Sequence, residues 1–249
     1  MRPLLRSYAK RLAIAAATLA LAGVVWGQEA GNLDITALAS AVLPTVVDQP
    51  IQFGLVEVTV AAGESARYAV PEGMLFQVAG SQIVAWDGGS VTLDAGDGAH
   101  LGAGFEATFS AGPDADAVFL HFLLLLGHEA DLPVVTGATR VVEVYRSEIP
   151  LPGLEVGAYA FDLTLLEFGP RYPVNDPHYR TGGALYYVVS GAGVFTAEGV
   201  AQRMPAGSAI LEPFALVHRW ANPYDEVVIV VLANISPKGE PAVAFVDEE

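Results

Sequence analysis

Residues 178–191 read HYRTGGALYYVVSG, and residues 205–213 read PAGSAILEP, followed by HRWAN at 218–222. Each is a short run of strand-forming residues closed by glycine or proline. Residues at i and i+2 of a strand point to one face. His178 and Arg180 therefore share a face, Tyr186 is in phase with Ala184, and Trp220 is in phase with His218.

The pattern extends outward from these segments. From about Ile51, short runs rich in Val, Ile, Phe, Tyr and Thr alternate with Gly, Pro and Asp punctuation. Examples are Leu55–Val60, Ser81–Trp86, Val118–Leu126, Ala158–Phe168 and Val227–Leu232. Many short strands separated by turns imply an all-β sandwich or barrel. Residues 28–48 differ: Leu33 to Val47 reads as a short helix-like run.

The chain also repeats itself. At an offset of 111 residues Phe76 meets Tyr187, Val78 meets Val189, Gly88 meets Gly199, Ala95-Gly96 meets Ala206-Gly207 and Phe109 meets Trp220. Two copies of one β-structure must keep their strands and turns in step. The expected organisation is residues 1–27 as a signal segment, 28–48 as an N-terminal extension, 49–135 as one barrel and 140–249 as a second.

The N-terminus carries Arg2, Arg6, Lys10 and Arg11 before Leu12–Trp26, an uncharged apolar stretch of 15 residues. That is short for a bilayer span of about 20 residues, and it reads as an export signal cleaved after Gly27. An uncleaved anchor is the rival reading. A secreted or periplasmic protein follows, with no membrane association after cleavage. Cleavage takes the formal charge from −16 to −20. So acidic a surface repels phosphate backbones and argues against nucleic-acid binding. The chain has no cysteine, so its stability rests on an apolar core; 53% of residues are hydrophobic.

The two quoted segments resemble the paired motifs of the cupin family. His178 matches the first motif's first His, Gly191 its closing Gly, and Gly199, Pro205, Gly207, His218 and Asn222 match the second motif. The resemblance implies two tandem jelly-roll barrels (double-stranded β-helices), arranged as a monomeric pseudo-dimer or a homodimer. It also implies metal ligands, but here Arg180 stands at the second His position and Ala184 at the Glu position. In the first copy the matching positions hold Arg67, Ala69, Gly73 and Ala107, which describes a scaffold without a metal site.

Only His178 and His218 remain as metal ligands, an incomplete set to which Asp176 could add a third. Arg180 is a permanent cation and no ligand. One reading is a non-catalytic protein, without cofactor, that binds a small, carboxylate-bearing or polar ring molecule through His178, Arg180, Tyr186, His218 and Trp220. The bland reading has Arg180 paired with Asp176 or Glu212 and the histidines satisfied in a core. The alternative function is a metal-dependent oxygenase or isomerase using Fe, Mn or Zn. His121 reads as a core residue, His100 and His128 have no partner at ligand spacing, and Arg171-Tyr172 lies in a longer loop. Asn234-Ile235-Ser236 fits a glycosylation sequon.

Overall fold

A computed structural model describes residues 31–46, 50–126 and 133–246. The expected signal segment, its cleavage point and His128 lie outside these residues. Among them the chain is all β, and no helix is long and apolar enough to cross a membrane.

The strands in chain order are β1 (Leu33–Val46), β2 (Ile51–Val60), β3 (Ser65–Val70), β4 (Gly73–Ala79), β5 (Ser81–Trp86), β6 (Gly89–Asp94), β7 (Gly98–Leu101), β8 (Phe105–Ala111) and β9 (Ala117–Leu126). They continue with β10 (Arg140–Arg146), β11 (Gly157–Phe168), β12 (His178–Arg180), β13 (Gly183–Ser190), β14 (Ala192–Ala197), β15 (Val200–Pro205), β16 (Ala209–Pro213), β17 (His218–Ala221), β18 (Val228–Pro237) and β19 (Val243–Phe245). One barrel joins the sheet β10-β2-β9-β4-β7 to the sheet β3-β8-β5-β6. The other joins β1-β11-β18-β13-β16 to β15-β14-β17-β12-β19.

Two strands cross over. β1, from the first half of the chain, pairs antiparallel with β11, and β10, from the second half, pairs with β2. The run Leu33–Val47, expected to be helical, is thus strand β1 over its described length. Its apolar residues face two surroundings: Leu33 and Ile35 line the second barrel, while Leu38 and Leu43 pack toward the first. Apolar side chains on both faces hide the alternation that marks a strand.

The sheets that face each other enclose a shared core of Phe53, Phe76, Phe122, Phe161, Leu185 and Val231. Strand β9 shows why its sequence is almost unbroken apolar. Leu120, Phe122 and Leu124 enter the shared core, while Phe119, Leu123 and Leu125 fill the first barrel. A strand buried on both faces needs no polar side.

The offset of 111 recurs in the hydrogen-bonded registers. Gly73 faces Leu101 and Leu123 as Ala184 faces Glu212 and Asn234. Val84 faces Phe109 as Phe195 faces Trp220. The register slips by one at β12. Tyr68 pairs with Ala107 as His178 pairs with His218, so Tyr68, rather than Arg67, is the counterpart of His178, and Val70 that of Arg180. Between the matched positions, Thr181, Gly182 and Gly183 separate Arg180 from Ala184, where only Pro71 and Glu72 separate Val70 from Gly73.

Candidate functional site

The second barrel's interior gathers the residues singled out in the sequence. His178 and His218 are direct cross-strand partners with ring centroids 4.3 Å apart. Each ring is held from behind: His178 Nδ1 lies 2.8 Å from the Asp176 carbonyl and His218 Nδ1 lies 2.8 Å from the Leu216 carbonyl. A carbonyl only accepts, so both Nδ1 atoms carry the hydrogen.

Beside them lies a buried carboxylate that the motif reading left out of the site. Arg180 Nε donates to Glu212 Oε2 at 2.9 Å, and Trp220 Nε1 donates to Glu212 Oε1 at 2.8 Å. His218 Nε2 lies 2.9 Å from Oε2. Glu212 is fully buried. Burial alone would raise its pKa, but the Arg180 charge, with His218 and the Trp220 N–H, holds it below the usual carboxylate value. The His178 pKa is lowered, chiefly by burial.

The locally basic pocket expected from His178, Arg180 and His218 is therefore corrected. Arg180 is paired through Nε with Glu212, as the bland reading had it, so its charge is neutralised within the cluster. Glu212 comes from β16, a strand whose spacing to His178 and His218 gives no sequence signal. The sequence offered it only as one of two acids that could pair with Arg180.

Above this cluster the barrel holds a cavity of about 710 Å³. Tyr186 and Trp220 stack with centroids 5.4 Å apart and an interplanar angle of 17°. Phe168 stacks on Trp220 at 6.0 Å, and Tyr172 meets Phe168 edge-on. The Arg180 guanidinium lies 5.2 Å from the Tyr186 ring centroid. His178, Arg180, Tyr186 and Trp220 line the cavity; the His218 ring sits behind, against Phe195. Asp176 lines the rim. Asp162, Thr164 and Asn234 are further polar residues of the wall that motif reasoning missed. The sequon reading of Asn234 is corrected too, because this side chain is 2% exposed inside β18.

The longer loop before β12 is clipped in place. Arg171, with φ of 56°, donates through Nε to Asp225 at 2.6 Å and through Nη1 to the Pro223 carbonyl at 2.8 Å. Asn222 Nδ2 donates to the carbonyls of Phe168, Gly169 and Glu226. In the first barrel His121 is a core residue, bonded through Nδ1 to the Tyr68 hydroxyl at 3.0 Å, and His100 pairs with Glu72.

A resident metal is a poor fit to these residues. Both Glu212 oxygens already accept hydrogen bonds, one of them from the Arg180 cation. Among the described residues no three His, Cys, Asp or Glu side chains are grouped to hold a metal ion.

The family profile described as Cupin domain matches residues 164–234, which span β12 through β17, the end of β11 and most of β18. No curated protein matches the chain in sequence. Among solved structures it is similar to procruciferin, an 11S globulin from Brassica napus, with a TM-score of 0.52 and 9% identity over 77% of that protein and 74% of this chain. An oxalate decarboxylase from Lactobacillus farciminis aligns with a TM-score of 0.49 and 14% identity, covering 88% of this chain and 85% of that protein. A salicylate 1,2-dioxygenase from Pseudaminobacter salicylatoxidans aligns at 0.47 and 11%, covering 74% and 70%. The chain thus carries a cupin domain over residues 164–234, within the second of its two barrels.

Proposed function

We propose that the second barrel binds a small organic molecule and does so as a receptor rather than as a catalyst. The supporting observation is the 710 Å³ cavity with a stacked wall of Tyr186, Trp220 and Phe168. Concave, mostly apolar pockets with a few fixed polar groups are the usual form of small-molecule sites. The Arg180–Glu212 pair is internally neutralised, so it orients a ligand without demanding a charged one. Asp162 and Asp176 on the lining disfavour an anion, which leaves the carboxylate preference read from the sequence without support.

Thermal-shift and ligand-observed NMR measurements with indole, 2-pyridone, toluene and benzoate test the reading. Ring compounds are expected to raise Tm. The cavity-filling variant Thr164→Phe is expected to abolish that rise while remaining folded. A panel that leaves Tm and ligand line widths unchanged overturns the proposal.

A second reading, a metal-dependent enzyme, has one observation in its favour. His218 Nε2 lies 2.9 Å from Glu212 Oε2, an imidazole and a carboxylate side by side, both donor types that metals use. Metal analysis of untagged protein decides it: a stoichiometric transition metal that is lost in His218→Ala would replace the receptor reading.

A further inference from the structure

One row of residues crosses the inner sheet of the second barrel. Ser40 on β1 faces Asp162 on β11, which faces Asn234 on β18, which faces Ala184 on β13, which faces Glu212 on β16. Direct partners in an antiparallel sheet present their side chains to the same side. Ser40, Asp162 and Asn234 line the cavity. Asn234 is 2% exposed, and neither Nδ2 nor Oδ1 has a hydrogen-bond partner among the described residues. Buried amides are almost always paired, because leaving one unmade is costly.

The first barrel shows that the fold does not require this amide. At the positions corresponding to Asn234 and Glu212 it carries Leu123 and Leu101, both fully packed in its core. The same backbone thus takes leucine in one copy and an unpaired amide in the other. The difference tracks the cavity. Ala184, with only a methyl group, lies between Asn234 and Glu212 in this row.

We propose that Asn234 and Asp162 form the specificity edge of the cavity and take a neutral ring compound whose rim carries an adjacent hydrogen-bond acceptor and donor, as in a lactam or an amino-substituted nitrogen heterocycle. The proposal rests on the receptor reading of the same cavity. A carboxamide offers a donor and an acceptor in one plane, the geometry by which Asn makes two bonds to one base edge. Asp162, an acceptor only when ionised, sets the ligand donor on its side. The flat stack of Tyr186 and Trp220 suits a planar ring. Asp162 and Asp176 reject an anionic one.

The test compares the dissociation constants of 2-pyridone, N-methyl-2-pyridone and toluene for the full chain, for Asn234→Leu and for Asp162→Ala. N-methylation removes the ligand's donor and leaves its shape nearly unchanged. The unmodified chain is expected to prefer 2-pyridone over its N-methyl form by about 10-fold, the value of one well-made hydrogen bond. Both variants are expected to lose that preference while keeping their toluene affinity. Asn234→Leu is also expected to raise Tm by a few degrees, since it removes two unpaired polar atoms from the interior. Equal affinity for the two pyridones, a preference that survives in Asn234→Leu, or a lowered Tm in that variant overturns the proposal. If toluene binds and the pyridones are not distinguished, this inference alone fails; if no probe binds, the receptor reading fails and takes it down as well.

Discussion

Glu212 faces Ala184 directly across the β13–β16 pairing. The family motif carries its acidic residue at the Ala184 position, so here the carboxylate stands one strand away. From there it reaches Arg180, Trp220 and His218 at once. The displaced acid converts an open ligand set into a closed polar cluster.

That cluster is costly to break from one side. Arg180→Ala leaves a buried carboxylate without its counter-charge and is expected to destabilise the protein by about 3–5 kcal/mol. The first barrel supplies the remedy, since Val70 and Leu101 occupy the corresponding places in its apolar cluster. Arg180→Val combined with Glu212→Leu is expected to recover most of the loss, as read by urea denaturation of the single and double variants.

Acid sensitivity should come from two buried groups. Burial holds the His121 pKa at about 3, against 6.5 for an ordinary histidine. Below pH 6.5 the unfolded chain therefore takes up a proton that the fold refuses. Stability is complete above pH 6.5 and falls progressively toward pH 3, by about 1.4 kcal/mol for each unit of difference. Glu212 acts lower on the scale: its contribution is complete above about 4.5 and is lost as pH drops through its lowered folded value. Replacing His121 with Leu and Tyr68 with Phe removes both members of their hydrogen bond. That pair is expected to flatten the upper part of the stability–pH curve with little change at pH 7, measured by denaturation between pH 3 and 8.

Asn222 binds three carbonyls through one amide nitrogen, at 3.2, 2.9 and 2.7 Å. Asn222→Asp would turn an oxygen toward the same carbonyls and is expected to cost about 2–4 kcal/mol. Hydrogen exchange should then rise across residues 169–177, the loop that Asn222 and Arg171 hold beside the cavity.

The shared core predicts joint melting. Phe161 is fully buried between the two inner sheets, in contact with residues of both halves. Phe161→Ala is expected to destabilise by about 3–5 kcal/mol. Calorimetry should show one transition moving down rather than two separating.

The fold was legible because alternation and turn glycines survive in both copies, and their common offset reappears in the strand registers. Leu33–Val47 was not, since β1 is apolar on both faces and its partner β11 lies more than a hundred residues away. His178, Arg180, Tyr186, His218 and Trp220 were legible from strand phase, and the barrel brings them together. Glu212 was legible as one of two candidate partners of Arg180; that it also joins Trp220 and His218 was hidden, because this depends on neighbours across the sheet, which local spacing does not encode. Asn234 was read through the residue two places on, although its environment is set by Asp162 and Ala184 on adjacent strands.

The exchange of β1 and β10 has a consequence for how the halves find each other. Each half carries an edge strand that completes the other's sheet, so neither barrel closes its inner sheet with its own chain alone. In a two-chain assembly such an exchange would be governed by protein concentration. Here the covalent link holds the partners at a fixed effective concentration, which makes the association first-order and leaves the mature fold insensitive to dilution.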